Sequence, residues 1–244
     1  MPAIPYSAAY APPHHRSDTM AGRRIIVEYP LLANIMYTLY YAPGSANLLV
    51  HLALLEIGAP HTLERVDIEA GQQRSAAYLA INPNGVVPTL MIDGVPHGEA
   101  AALAMLLTER HPEAALAPFP GSPERPDYLQ WMLYLANNLQ PLFRQWFYPG
   151  EHLPEGADTV KQAARAGIEK CWSRLDAHLA AHGPHMLGER FSVVDLYALM
   201  LMRWSRNMPK PATAWPQLAA LATRLKARPS WKQVCDAEGL VEWA

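Results

Sequence analysis

Three side chains able to hydrogen-bond an anion crowd one short stretch of this 244-residue sequence: Tyr41, Ser45 and Asn47 in "YYAPGSANLL". A phenol, an aliphatic hydroxyl and an amide NH2 can each donate to a thiolate or an oxyanion, and the first N–H groups of a following helix add to them. The same residues have a plainer reading. Pro43-Gly44 sets a turn, Ser45 or Asn47 caps the helix beyond it, and Tyr41 packs in a core. Further along, "PLFRQWFYPGEH" gathers Phe143, Trp146, Phe147 and Tyr148 with Arg144 and His152, which can wall and grip a flat or apolar molecule or else pack two domains together. Arg203, Arg206 and Lys210 suit a helix end, with an acidic substrate as the alternative use of their charge. His51, His61, His97 and His111 share no metal-ligand spacing, so no metal site is expected.

The elements that must hold these residues alternate in type. "YTLYY", from Tyr37, has strand composition; Asn47 to Ile57 has helical spacing closed by Gly58 and Pro60; "HTLERVDI" is a second strand, parallel to the first through that helix. After a short helix around Arg74 to Ala80, "VPTLMI" and "VPH" flank the hairpin turn Asp93-Gly94, and Glu99 to Arg110 is a good helix. A βαβ unit followed by ββα over 37–112 is a thin four-stranded α/β sandwich. The proline- and glycine-rich stretch 113–126 is an interdomain linker. Every later periodic segment, over 127–244, is helical, with Ser192 and Asp195 spaced as a capping box. The fold class expected is α/β plus all-α.

Half of the chain is apolar, enough for a proper core, and the formal charge of -2 is spread along it, without the basic footprint of a nucleic-acid binder. No apolar run approaches the roughly 20 residues of a membrane helix. Cys171 and Cys235 form neither a CxxC pair nor a disulfide framework, which suits an intracellular protein. Residues 1–36 read as a flexible extension or an upstream start, since Met20 and Met36 offer later ones and Glu28 and Pro30 break the only signal-like run.

The segment "AINPNGVVPTLMIDGVPHGEAAALAMLL" resembles the cytosolic glutathione transferases, whose thioredoxin-like domain carries an NPxGxVPxL stretch and then a Glu that opens a helix. The resemblance runs from Tyr37 to about Leu240 and, in "YYAPGSANLLVHLALLE", "LERVDI", "AINPNGVVP" and "PLFRQWFYP", is strongest to the bacterial beta-class branch. It implies a cis Val87–Pro88 bond, Val87 offering backbone groups to the cysteinyl part of glutathione. It also implies that Glu99 takes the α-ammonium and that N–H groups at Ala100, where a hydroxyl is usual, take the α-carboxylate. The branch carries a Cys in a PGxC pattern, and here that position is Ala46. Ser45 is then the first candidate for the thiolate contact, Asn47 the second and Tyr41 the third. A His-Lys pair of the branch falls, counting from Trp131, on Gln140 and Pro141. Gln140, Phe143, Arg144 and Phe147 are the expected electrophile pocket.

The function so implied is a cytoplasmic, homodimeric, metal-free glutathione transferase that activates the co-substrate's thiol for attack on a small apolar electrophile, in the manner of a detoxification enzyme. The alternatives are a glutathione-dependent isomerase or reductase, with disulfide chemistry disfavoured by Ala46, and a non-catalytic binding protein of the same fold.

Overall fold

Tyr37, Leu39 and Tyr41 turn inward from strand β1 (Tyr37–Tyr41) while Thr38 and Tyr40 stay half exposed, the alternation of a strand covered on one face. The computed structural model describes residues 36–151, 153–241 and 243; His152 and residues 1–35 of the expected extension lie outside them. Strand β2 (His61–Arg65) runs parallel to β1 with Leu63 opposite Leu39, which requires the crossover helix α1 (Asn47–Ile57) between them. Strand β3 (Thr89–Ile92) is antiparallel to β1 and places Leu90 opposite Leu39. Strand β4 (Val95–His97) folds back on β3 through Asp93 and Gly94, both at positive φ as a tight hairpin turn demands. The sheet order is β2-β1-β3-β4.

Where one short helix was expected near Arg74, the chain forms a 3₁₀ turn (Gln72–Arg74) and then α2 (Ala76–Leu79). Ser75 interrupts them with extended backbone and caps α2 by accepting from the Tyr78 N–H. Helix α3 (Ala100–Arg110) completes the βαβ-ββα order. Together these elements are the thioredoxin-like N-terminal domain, and a helical C-terminal domain follows.

That domain contains α4 (Arg125–Tyr134), α5 (Gln140–Phe147), α6 (Ala157–His182), α7 (Val193–Trp204), α8 (Pro216–Lys226) and α9 (Pro229–Glu238). Helices α4 and α5 are joined by a π turn over Leu135–Leu139. Pro141 explains the wider turn: it has no N–H, and its ring would collide with the carbonyl four residues back in a regular α-helix. The proline-rich stretch before α4 is tied down, because the Leu116 carbonyl accepts from Val193 N–H at 2.9 Å and Arg190 donates to the carbonyls of Ala115 and Ala117.

Helix α1 is buried from Asn47 through Leu54, since α3 lies on one side of it and α7 and α9 on another. A helix apolar all round is one that sits inside a core, and a single apolar cluster runs from Leu39 and Leu90 through Leu48 and Leu52 to Val194 and Leu196. Helix α7 is seated by the anticipated capping box. Asp195, fully buried, accepts from the Ser192 N–H at 2.8 Å and from the Met186 N–H at 2.8 Å, while burial pushes its carboxyl pKa up against those donors. Among the described residues no helix is long and apolar enough to cross a membrane.

Candidate active site

The turn between β1 and α1 is built for close approach. Gly44 has φ 69°, a conformation that favours glycine, and a Cβ on it would lie 2.5 Å from Arg203 Nη1, so a larger residue would be strained and would also displace the end of that side chain. Its carbonyl accepts from Trp204 Nε1 at 2.8 Å and its N–H donates to Glu238 Oε2 at 2.8 Å. Glu238, the last residue of α9, is fully buried and also accepts from Asn47 Nδ2 at 3.0 Å and His51 Nδ1 at 2.8 Å. A carboxylate at a helix C-terminus opposes the helix dipole, so this one is stabilised by its three donors rather than by its own helix.

Asn47 therefore holds the turn instead of facing a ligand. Its Oδ1 accepts from the Ala42 N–H at 3.0 Å and from the Ser45 hydroxyl, its Nδ2 is spent on Glu238, and it has no exposed surface. The capping reading also fails, because Ala46 occupies the cap of α1 and no side chain caps that end. Tyr41 is buried in the core beneath the turn. Of the three expected donors, Ser45 alone lines the adjoining cleft.

That cleft encloses about 650 Å³. One side is made by residues 43–46, by Val86, Val87 and Pro88, and by Glu99 and Ala100. The Val87–Pro88 bond is cis. The peptide before it is braced from behind, where the Val86 carbonyl accepts from Tyr78 Oη at 2.8 Å and Asn82 Nδ2 at 2.9 Å. Glu99 stands one residue ahead of the first turn of α3, at φ 65°, a conformation that costs a non-glycine residue about 1–3 kcal/mol. Strain of that kind is retained where the side chain it aims has a use, and here the carboxylate borders the cleft.

The helical domain supplies the other side. Gln140 lines it with Oε1 engaged by the Tyr197 hydroxyl, and burial together with the nearby Glu99 charge pushes the Tyr197 pKa far up, so that hydroxyl remains a donor. Arg144 is held by Glu151 through Nε at 2.8 Å and Nη2 at 2.6 Å, with its guanidinium over the Tyr148 ring. Phe147 and Trp204 form the apolar part of the wall. Phe143 does not line the cleft: it is fully buried and supports Phe147 and Trp204 from behind, with ring centroids 6.0 and 5.7 Å away. Trp146 turns aside to pack under Lys161.

Arg203 and Arg206 also line the cleft, although their sequence position suggested little beyond a helix end. Glu238 and Tyr197 carried no sequence signal at all.

Two family models cover this architecture in order, the N-terminal domain of glutathione S-transferases over residues 49–110 and their C-terminal domain over 131–229. The chain belongs to the glutathione S-transferase family. The activity that goes with that membership is glutathione transfer. The glutathione S-transferase GstA of Escherichia coli O157:H7 is 30% identical over 209 residues, 83% of this chain and 98% of that protein. A beta-class glutathione S-transferase of Sphingomonas chungbukensis is 32% identical with a TM-score of 0.75, matching 84% of this chain and 100% of its own. A Sulfitobacter glutathione transferase homologue solved with bound glutathione is 27% identical with a TM-score of 0.76, over 84% of this chain and 99% of that one.

Proposed function

We propose that the cleft holds glutathione along Val87, Glu99 and Ala100 with its thiol at the 43–46 turn, and that the protein transfers it to an electrophile seated against α5 and α7. One observation carries the reading: three segments far apart in sequence, the turn, the cis Val87–Pro88 pair and the strained Glu99, meet in a single cleft. The Val87 backbone pairs with the cysteinyl residue as an added strand would, Glu99 takes the α-ammonium, and N–H groups at the start of α3 take the α-carboxylate. At the turn the Ser45 hydroxyl rotates from Asn47 to the sulfur and, with the first N–H groups of α1, stabilises the thiolate. With Ala46 in place of a thiol, the only reacting sulfur is that of glutathione. The thiol releases its proton to solvent, sulfur forms the new bond to carbon while the bond from that carbon to its leaving group breaks and the group departs with the electron pair as an anion (chloride, for a chlorinated nitroaromatic), and catalysis consists of anion stabilisation and proximity. Phe147 and Trp204 receive the apolar part of the electrophile.

The family resemblance supports a cytoplasmic homodimer that needs no metal, with detoxification as its setting. Sedimentation should then report twice the chain mass. Calorimetric titration with glutathione, followed by an assay with a chlorinated nitroaromatic, tests the central reading. Binding with turnover agrees with it, binding without turnover refutes transfer, and no binding refutes the site.

A further inference from the structure

Ile68, Gln73, Arg74 and Gly85 line the cleft beside Val86 but take no part in the contacts assigned above. A Cβ on Gly85 would lie 2.9 Å from the Gln73 carbonyl oxygen and 3.4 Å from Arg74 Cδ, so the Arg74 stem lies against the chain directly before Val86 and Val87. The loop that carries Ile68 and Arg74 is held by its own bonds. Asp67 Oδ1 accepts from the N–H groups of Glu69 and Ala70 at 3.1 and 3.0 Å, and Gln72 Oε1 accepts from the Asp67 N–H at 2.7 Å. The Ile68 carbonyl accepts from the Gly71 N–H and from Gln73 Nε2, both at 3.3 Å. Side-chain turns of this kind fix a loop without help from neighbouring elements. On that frame Ile68 and Val86 keep 37% and 43% of their surface exposed, and Gln73 Oε1 is buried. The Arg74 side chain is exposed, and among the described residues no hydrogen bond, ion pair or ring contact engages its guanidinium.

A peptide laid along Val87 as an added strand, with its γ-glutamyl end at Glu99, brings its third residue to Val86, Gly85 and Arg74. Glycine at that place covers neither exposed apolar side chain. A residue with an apolar side chain covers both Ile68 and Val86 and removes that surface from water. We infer that the thiol co-substrates of this protein are γ-glutamylcysteinyl peptides whose third residue is apolar as well as glycine, with the side chain seated between Ile68 and Val86 and the terminal carboxylate held by Arg74. The proposal rests on the transferase reading and adds the class of thiol to it. A guanidinium on a braced loop is suited to a terminal carboxylate, because its donors are already grouped in one plane. Ile68 and Arg74 are thus specificity-determining residues for the far end of the peptide, away from the reacting sulfur.

Calorimetric titration of the full chain with three peptides tests this: glutathione, γ-glutamylcysteinylvaline, and glutathione with its glycine carboxylate converted to the amide. The valine peptide is expected to bind about fivefold tighter than glutathione, the order of half-burying a valine side chain. The amide is expected to bind about tenfold weaker than glutathione, the order of one charge-assisted hydrogen bond. Ile68→Ala is expected to remove most of the gain from valine, and Arg74→Met, which keeps the stem over Gly85, to bring the ratio of acid to amide towards one. A valine peptide that binds no better than glutathione, or an amide that binds as well as the acid, overturns the inference while leaving the transferase reading in place. Failure of all three peptides to bind refutes the glutathione site itself. Because the wild-type comparisons decide the matter, a variant that fails to fold does not.

Discussion

Replacing Glu238 by Ala removes the one acceptor shared by the Gly44 N–H, Asn47 Nδ2 and His51 Nδ1, at 2.8, 3.0 and 2.8 Å. Each buried donor left without a partner costs about 1–3 kcal/mol, and the buried carboxylate's own desolvation, which the variant no longer bears, offsets part of the sum. The low end, about 3 kcal/mol, is the expected net loss, equivalent to a fall in Tm of roughly 6–12 °C for a chain of this size. The loss should be local in character, because two of the three donors belong to the turn or its brace. Glutathione KM should rise more than tenfold even at temperatures where the variant is folded. Glu238→Gln separates the contributions: its oxygen can still serve Asn47 and His51, but its NH2 then faces the Gly44 N–H, so stability recovers in part while KM stays high. Urea titration followed by circular dichroism, with steady-state kinetics on the same samples, provides both readouts. A Glu238→Ala protein that loses less than about 1 kcal/mol and keeps its KM would refute the claim that α9 holds the turn.

Glu99→Gly should raise stability by about 1 kcal/mol by relieving the positive φ, yet abolish calorimetric binding of glutathione; weakened stability with intact binding would show that the residue is structural. Ser192→Ala should cost about 1–2 kcal/mol in urea titration through the lost cap of α7, with kcat/KM for glutathione unchanged. Desolvation raises the Glu56 carboxyl pKa, but the Arg228 guanidinium, at 2.7 and 2.6 Å, and the Ser230 hydroxyl outweigh it and hold the value below the ordinary one. A depressed folded-state pKa stabilises above the unfolded value, about 4.3, and that stabilisation is lost as pH falls through the folded value. Urea midpoints of wild type and Glu56→Gln should therefore differ at neutral pH and converge in acid, whereas a pH-independent gap would contradict the assignment.

The four strands and the helices around them were legible because their apolar periods and turn residues agree with the tertiary result. Leu39, Leu63 and Leu90 lie side by side on neighbouring strands, and Asp93-Gly94 makes the hairpin it suggests. The cis Val87–Pro88 bond and the place of Glu99 at the cleft were anticipated from the family's local motif, and not from apolar periodicity. Asn47 was misread because a polar residue at a helix start looks alike whether it points outward to a ligand or inward to a buried partner, and the partner, Glu238, is 191 residues away. Glu238 itself looks like any surface acid on a short final helix. Phe143 shares a helix with Gln140, Arg144 and Phe147, but only the packing of Trp172 and Trp204 decides which of these faces the cleft. The contacts that fix two lining side chains were equally hidden, because Tyr197 holds the Gln140 amide and Glu151 holds Arg144 only once the helices have packed.

The central claim is that the turn at residues 43–46 stabilises the thiolate of glutathione, and the pKa of the bound thiol measures this directly. Thiolate absorbance of the complex, titrated with pH, should place that pKa at least one unit below the roughly 8.5 of a free cysteine thiol, and Ser45→Ala should move it back up. A bound thiol that titrates like free glutathione in the wild-type protein, with no response to Ser45→Ala, would contradict the account.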